Sequence, residues 1–526
     1  MNFTRVLKPL RITISLFFIL VITFAFIDFR ELLPASGKQH IMFFQFIPSF
    51  LKFLHAPVFI ASGFIVVLIL SLLVGRLYCS LLCPLGTMQD IVIWIMKKLR
   101  IQKIFRFRKP YNVVRYGILI VAIVLFIMHN IVLFILLDPY SIYGRISSNL
   151  LFPVVLHLNN WLSAMLQDAG IYSVYPVSVA RPVFFSLLVT SAMAVVVIWM
   201  AMFHGRLFCN TICPVGSLLS RFSLASLFQI RIEEKKCTRC LKCVTVCKAN
   251  CIDVINETVD FSRCIGCFNC MDECAYDAIN YRNVIRLRQI SKQKEEGRRN
   301  FMIAFTALFA GAPFATKAIA GQYKKHKSGT AYDGMVLNDK PHAVSPPGSV
   351  SHEHFNVHCT GCHLCVSVCP THVLQPSTYE YGWQGILQPR LDNTVNYCSY
   401  DCTLCSEVCP AGAIQKLTVE QKHITQIGIA RFEKKNCVVY TDETSCGACS
   451  EHCPTKAVNM VPYKNDLMIP EVTPEICIGC GACEYACPVD PPFKAIYIRA
   501  NTVHQLAQKP EIEKMEPSGS KSDFPF

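Results

Sequence analysis

Cysteine placement limits what this chain can fold into more than any other feature. Its 526 residues hold 29 cysteines, and most stand in tight groups of four with two or three residues between neighbours. A disulfide framework would spread its thiols along the chain, so these groups read as ligand sets for metal centres. The first two groups are Cys237, Cys240, Cys243 and Cys247, then Cys264, Cys267, Cys270 and Cys274. Gaps of two, two and three wrap three thiolates around one iron–sulfur cubane while the fourth reaches the neighbouring cubane. Two 4Fe-4S clusters are therefore expected: cluster one on Cys237, Cys240, Cys243 and Cys274, and cluster two on Cys264, Cys267, Cys270 and Cys247. Zinc also takes four thiolates, but two full runs of this spacing fit a zinc finger poorly. Cys251 is left over, with packing its expected role.

Four more groups occupy the second half. They are Cys359, Cys362, Cys365 and Cys369; Cys398, Cys402, Cys405 and Cys409; Cys437, Cys446, Cys449 and Cys453; and Cys477, Cys480, Cys483 and Cys487. Each ends in Cys-Pro, through Pro370, Pro410, Pro454 and Pro488, as a bacterial ferredoxin run does. Four further cubanes are expected, six in all. "CTGCH" at Cys359 to His363 also matches a c-type haem attachment pattern, but a haem there would strand Cys365 and Cys369. Two quartets are irregular. Cys398 is followed by a three-residue gap and Cys437 by the longer "VVYTDETS", so the first ligand can come from a preceding strand or loop. Short strands and short helices around cysteine loops predict α+β ferredoxin-like modules, folded in good part by their clusters.

Hydrophobic residues make up 52% of the chain and charged residues 17%, a balance that points to membrane-embedded segments. Four apolar stretches precede the clusters: about Ile12 to Phe29, Pro57 to Val74, Val113 to Leu137 and Val183 to Phe203. Each approaches the ~20 residues that cross a hydrocarbon core. The net charge of +15 could suggest a nucleic-acid partner. Its excess instead gathers in short loops, with Arg5, Lys8 and Arg11 before the first stretch and a run from Lys97 to Arg115 between the second and third, so no nucleic acid is expected. By the positive-inside rule the amino terminus and the 76 to 112 loop are cytoplasmic, and four crossings return the chain to that side.

The ends of stretches two and four repeat one another as "GRLYCSLLCPLG" (Gly75 to Gly86) and "GRLFCNTICPVG" (Gly205 to Gly216). A duplicated helix pair accounts for this. Cys79 and Cys83, like Cys209 and Cys213, stand four apart, which on a helix puts both thiols on one face. Pro84 and Pro214 are expected to break the following turn. These four are candidate redox thiols: one shared metal or cluster site, two dithiols, or two packed structural pairs. Between the halves lies Gly297 to Ala320, "GRRNFMIAFTALFAGAPFATKAIA", with twin arginines, an apolar run and a closing A-x-A, the build of an export signal. A basic run, Arg282 to Arg299, precedes it and keeps the first cysteine module on the cytoplasmic side.

These stretches carry a family resemblance. "GRLYCSLLCP", "GRLFCNTICP" and the first two cysteine runs resemble the NapH-type membrane ferredoxins over residues 1 to about 285. From "GRRNFM" through "PPGSVSHEHFNVHCTGCHLCVSVCP", "CSYDCTLCSEVCP", "CVVYTDETSCGACSEHCP" and "CIGCGACEYACP" the chain resembles the NapG/MauM-type periplasmic ferredoxins exported by the twin-arginine route. One departure is Gly297, where that signal often has Ser or Thr. The resemblance implies quinol dehydrogenase components that feed a periplasmic reductase. It also implies that outer quartets pair with each other and inner ones likewise: Cys359, Cys362, Cys365 with Cys487; Cys369 with Cys477, Cys480, Cys483; Cys398, Cys402, Cys405 with Cys453; and Cys409 with Cys437, Cys446, Cys449.

The expected protein is multidomain. Residues 1–230 form an α-helical membrane domain of four helices with two CxxxCP motifs, 231–285 a cytoplasmic two-cluster module, and 297–320 a fifth, signal-like helix. A linker (321–350), a periplasmic four-cluster domain (351–500) and a tail (501–526) complete it. The expected activity is electron transfer in anaerobic respiration: menaquinol, drawn from the quinol pool as substrate, is oxidised, and electrons pass along six 4Fe-4S clusters, two cytoplasmic and four periplasmic. The acceptor is a periplasmic reductase or cytochrome, and the location a bacterial inner membrane, multi-pass. Two rivals are a relay from a cytoplasmic donor and an electron-donating maturation factor for a periplasmic metalloenzyme. No nucleotide fingerprint, flavin motif or hydrolytic site competes.

Overall fold

The structure is a computed structural model that describes residues 3–55, 62–101, 105–179, 182–283 and 335–509. The signal-like segment Gly297–Ala320 and the first part of the expected linker lie outside the described residues.

Apolar runs rich in Leu, Ile, Val and Phe build the helical unit. Its elements are α1 (Phe3–Ile27), α2 (Ala35–Met42), α3 (Phe46–His55), α4 (Gly63–Val74), α5 (Tyr78–Leu81), α6 (Pro84–Lys98), α7 (Asn112–Ile127), α8 (Val132–Leu137), α9 (Pro139–Ile146), α10 (Phe152–Asp168), α11 (Phe184–His204) and α12 (Pro214–Leu224). Among the described residues, α1 and α11 are long and apolar enough to cross a membrane; α4 and α7 are apolar but shorter. Phe17 and Leu20 on α1, Val121 and Val124 on α7, and Val195 and Trp199 on α11 are all exposed. So broad an apolar exterior has the character of a membrane-facing surface.

The four expected stretches resolve differently. Val113 to Leu137 is not one helix: the chain turns after Ile127, His129 takes φ 57°, and the Asn130 side chain accepts from the Val132 N–H at 3.0 Å, restarting a helix. Helix α10 was not anticipated, because Asn159, Asn160 and Gln167 interrupt its apolar run. Those groups tie down the loop that follows. Asn160 both donates to the Val177 carbonyl and accepts from its N–H at 2.8 Å, and Ser163 Oγ donates to Val174 O at 2.8 Å.

Both cysteine-rich modules are built on short antiparallel ribbons. In the first, β1 (Phe228–Ile232) pairs with β4 (Ile279–Asn283), with Ile230 opposite Tyr281, and β2 (Ile252–Asp253) with β3 (Thr258–Val259). In the second, β5 (Leu374–Pro376) pairs with β6 (Pro389–Leu391), β7 (Thr425–Phe432) with β10 (Ile496–Leu506), and β8 (Val458–Pro462) with β9 (Met468–Val472). Two boundaries shift from expectation. β10 runs past residue 500 to Leu506, with a bulge between Ala500 and Gln505, so the expected tail begins inside a paired strand. Part of the expected linker is also ordered: Val344 bridges to Leu391, Asn436 holds Val336 through both N–H and C=O, and Lys340 pairs with the buried Glu484.

The modules pack against opposite ends of the helical unit. At one end Lys8, in the first turns of α1, pairs with Asp272 at 2.6 Å. There too the chain leaving α11 meets the first module, with Arg206 N–H on Lys248 O at 2.9 Å and Asn250 Nδ2 on His204 O at 3.1 Å. At the other end Arg145 of α9 donates to Gly361 O at 3.3 Å. Gly144 beside it has no room for a side chain, since a Cβ would sit 2.4 Å from the Cys362 carbonyl. Ile131 and Ile135 there pack with Ile386 and Leu387 of the second module, against Phe185 and Val189 at the start of α11.

Candidate metal centres

Four of the six cysteine loops share one local geometry. Arg239, Gly266, Gly361 and Gly479, each two residues after the first ligand of its run, are left-handed, as are Leu241, Phe268, His363 and Gly481, each directly after the second. Alternating hands curl the backbone so that its N–H groups face the space enclosed by the thiols, a cradle suited to an anionic cluster.

In the first module, Cys237, Cys240, Cys243 and Cys274 line one cavity. Cys247, Cys264, Cys267 and Cys270 line a second, together with Cys251. Cys251 is thus more than remote packing: it is buried with its sulfur 3.6 Å from that of Cys247. The two sets coincide with those drawn from spacing. His363, the residue a haem would need, instead engages the Leu387 carbonyl through Nε2 at 2.8 Å.

The second module corrects the expected pairing. Cys437, Cys446 and Cys449 share a cavity with Cys487, and Cys398, Cys402 and Cys405 share one with Cys369. Cys359, Cys362 and Cys365 face Cys409, while Cys477, Cys480 and Cys483 face Cys453. Consecutive quartets therefore exchange their fourth cysteine; outer does not pair with outer. The cause is local. The β5–β6 ribbon folds back between Cys369 and Cys398, and the β8–β9 ribbon does the same between Cys453 and Cys477, so each pair of quartets closes within 51 residues of chain, where the shorter loop costs less to close than an outer-to-outer one. We label the four sets A (Cys359, Cys362, Cys365, Cys409), B (Cys369, Cys398, Cys402, Cys405), C (Cys437, Cys446, Cys449, Cys487) and D (Cys453, Cys477, Cys480, Cys483).

Ionising four crowded, buried thiols is unfavourable in the protein alone. Burial first and neighbouring thiols second push Cys243 up to about 11 and Cys449 up to about 12. Bound metal reverses this balance, since a coordinating thiol is deprotonated outright. The donor sets therefore fit 4Fe-4S clusters. Backbone amides aimed at sulfur would tune them: Ala457 N–H on Cys453 at 3.2 Å, Ala430 N–H on Cys477 at 3.4 Å and Ile414 N–H on Cys409 at 3.5 Å.

The sets are ordered. Set A lies against the helical unit, where Tyr140 is fully buried with its hydroxyl beside Cys362. Sets A and B share one ribbon-linked half of the module, and Cys405 of B also neighbours Cys365 of A. The Cys398 N–H of B donates to the Cys480 carbonyl of D at 2.9 Å. Set C shares the other ribbon-linked half of the module with D, each taking its fourth thiol from the other's quartet. The series from the helical unit outward is A, B, D, C.

Inside the helical unit the CxxxCP motifs converge, and the four thiols fall within electrostatic reach of one another. The local structure differs from a single helix carrying both thiols. Cys79 sits in α5 and Cys209 in a widened turn, Phe208–Ile212. Cys83 and Cys213 occupy the N-cap positions of α6 and α12, so Pro84 and Pro214 begin a helix where a break was expected. The two copies clasp reciprocally. Arg76 donates to the Cys209 carbonyl at 2.9 Å and Arg206 to the Cys79 carbonyl at 3.1 Å. Gly86 and Gly216 each lie so close to the opposite arginine and the cysteine carbonyl beneath that a Cβ would sit 2.2 Å from that oxygen. Arg76 and Arg206 were not singled out in the sequence, although both stand in the repeated Gly-Arg-Leu.

Fold and thiol sites together define a ferredoxin-type iron–sulfur electron-transfer protein. Two family models match: a 4Fe-4S binding domain at residues 56–102 and 186–224, and a 4Fe-4S dicluster domain at residues 358–413 and 444–490. A Methanocaldococcus jannaschii protein is 26% identical over 219 residues, 41% of this chain and 68% of that protein. The ferredoxin-type protein NapF of Escherichia coli K12 is 27% identical over 158 residues, 30% of this chain and 87% of NapF. The ferredoxin-type protein NapH of the same organism is 25% identical over 233 residues, 42% and 68%. The helical half of the chain is thus similar to NapH and part of the chain to NapF, both ferredoxin-type proteins. No solved structure matches it.

Proposed function

We propose that the chain is a multi-pass protein of a bacterial inner membrane that oxidises menaquinol and delivers the electrons through 4Fe-4S clusters to a periplasmic reductase or cytochrome. One observation carries this reading: two cysteine modules pack on opposite ends of one apolar helical unit, and the second module's sets run in series away from it. With charge bias placing the 76 to 112 loop in the cytoplasm, the first module is cytoplasmic and the second periplasmic. Clusters one and two are held by the Cys237 to Cys274 module, and sets A to D hold four more. Each cluster supplies one-electron transfer when bound; the protein's part is to fix ligands, place N–H donors on sulfur and exclude water around them.

Quinol oxidation releases two electrons and two protons, so it belongs at the membrane unit, with the protons leaving to water. The test is reduction of the purified, cluster-loaded full chain by a menaquinol analogue under anaerobic conditions. Bleaching of the clusters is expected. Clusters that stay oxidised with quinol yet bleach with a reduced ferredoxin would sink this reading in favour of a cytoplasmic donor. That second reading has its own support, since Cys240 of cluster one, in the first module, is exposed. A maturation role is separated genetically: if deletion stops respiration even when mature reductase is present and an artificial donor restores it, assembly is not the role.

A further inference from the structure

Lysine is almost never fully buried without a partner, yet Lys422 is 4% exposed and no carboxylate among the described residues pairs with it. It stands on a short helix, Val419–His423, whose start is locked by a reciprocal Thr418–Gln421 cap. Its ammonium donates to the carbonyls of Ser399 and Cys402 and reaches the Cys398 thiol, so its three N–H donors all end in the cysteine loop of set B. The same charge acts on Cys402 and Cys405. Asp401 lies on that loop, but it is exposed and engages His423 at 2.9 Å. This loop lacks the alternating left-handed residues of four others, and its three-residue gap, Ser399 to Asp401, carries one of the two carbonyl acceptors. A buried, unpaired ammonium is costly. The ligand set, ionised around a cluster, is the anion that offsets it.

The buried ions beside the other three sets differ in sign. Set A meets Arg145, fully buried, which donates to the Gly361 carbonyl at 3.3 Å and acts on Cys362. Asp138 also acts on Cys362, and Lys52 stands near Cys409, so set A keeps a net positive neighbour. Set C meets Lys494, buried and donating to the Cys487 carbonyl at 2.6 Å. Set D is the exception. The buried ion beside it is Glu484, which follows Cys483 directly and acts on that thiol. Glu484 accepts from the Ile498 N–H at 2.8 Å and from Asn393 Nδ2 at 3.3 Å. Its cationic partner, Lys340, has a side chain 36% exposed, so water screens the lysine while the carboxylate stays dry.

An electron added at a ligand set makes it more negative, so a nearby cation stabilises the reduced form and a carboxylate the oxidised form, most strongly where water is excluded. We propose that Lys422 raises the reduction potential at set B and Glu484 lowers it at set D, which makes D the uphill step between the inner and outer halves of the series. Electrons arriving from the helical unit then gather on A and B before crossing D to C, where Lys494 favours their arrival. Each step moves one electron from a reduced set to an oxidised one; no bond forms or breaks and no proton moves. The inner half holds two electrons, the number one quinol releases, and that clause alone rests on the proposed donor. Lys422 and Glu484 act through the ligands and their loops, so both are positioning residues. A packing role for Lys422 leaves unexplained why a charged side chain is buried where a methionine would fill the space.

The experiment is an EPR-monitored redox titration of the cluster-loaded full chain in detergent, wild type beside Lys422→Met and Glu484→Gln, with Cys402→Ser and Cys480→Ser identifying the signals of sets B and D. In the wild type the set D midpoint is expected below that of set B. Lys422→Met should lower the set B midpoint alone, and Lys422→Arg, which keeps the charge, should restore it. Glu484→Gln should raise the set D midpoint, whereas Lys340→Met, at the partly exposed partner, should lower it. Opposite shifts from the two ends of one ion pair are not produced by loss of packing. A wild-type set D midpoint at or above that of set B overturns the proposal, and so do unmoved midpoints in Lys422→Met and Glu484→Gln. Should Lys422→Met fail to take up its clusters, the wild-type order of B and D and the Glu484→Gln and Lys340→Met pair decide, with shifts of one sign, or none, counting against it. Midpoints do not depend on the electron donor, so they stand whether or not quinol proves to be the substrate.

Discussion

Asp90 offers a sharp quantitative prediction. Its carboxylate is 8% exposed and meets three cations, Arg11, Arg206 and Lys248, at 2.8 to 3.1 Å. Asp90→Asn keeps the shape of the side chain and leaves those cations facing a neutral amide. Removing one partner of a buried ion pair costs about 3–5 kcal/mol. For a unit of this size each kcal/mol moves the melting temperature by about 2–4 °C, so a fall of roughly 6–20 °C is expected. The assay is a thermal scan of the full chain in detergent, wild type and variant at one scan rate, because unfolding of such proteins is governed by rate as much as by equilibrium. A companion variant sharpens it: adding Lys248→Met removes one of the stranded cations and should recover part of the loss. If Asp90→Asn costs less than about 1 kcal/mol, the carboxylate is not what holds these cations.

Cys409→Ala should disturb set A, converting its signal toward a three-iron form or losing it, while set C on Cys437, Cys446, Cys449 and Cys487 keeps its EPR signature; loss at the Cys437, Cys446 and Cys449 cluster would reinstate the inner-to-inner pairing. Tyr140→Phe removes the hydroxyl beside Cys362, and since hydrogen bonds to ligand sulfur raise a cluster's potential, a redox titration should find one potential lowered and the rest unmoved. Burial, with His342 beside His352 and His352 beside His504, holds both His352 and His504 down to about 4. They stay neutral in the folded module while the unfolded chain takes up protons below about 6.5, so stability is fully present above about 6.5 and declines as pH falls toward 4. Denaturant melts across that range should show this slope, and a His352→Gln/His504→Gln variant a shallower one; a flat wild-type profile contradicts it.

The six quartets were legible because a cubane dictates ligand spacing along the chain, and three of each four ligands come from one loop. The fourth ligand in the second module was not legible. Whether Cys409 meets Cys365 or Cys449 depends on which ribbon folds the chain back, and nothing in the spacing of Cys-Pro encodes it. Hydropathy found α1 and α11 but fused α7 with α8, since one Asn-capped turn hardly dents an apolar average. It also missed α10, whose asparagines serve the loop beside it. The convergence of the two CxxxCP motifs was foreshadowed by their repetition. Their geometry was not: proline after cysteine reads as a break along the chain, whereas here Cys83 and Cys213 cap the helices that Pro84 and Pro214 begin. Arg76 and Arg206 resemble positive-inside flank charges in the sequence, and only their burial against the opposite copy sets them apart.

The central claim is that one chain conducts electrons from the membrane to the outer end of its second module. Its most direct test is the full chain sealed into liposomes with a menaquinol analogue in the bilayer and an impermeant oxidant on the side bearing the carboxyl half. Reduction of that oxidant is predicted, together with its loss when Cys487→Ala removes a ligand of set C, the last in the series. Oxidant that stays unreduced until the vesicles are lysed, or reduction that persists unchanged in Cys487→Ala, would contradict the account.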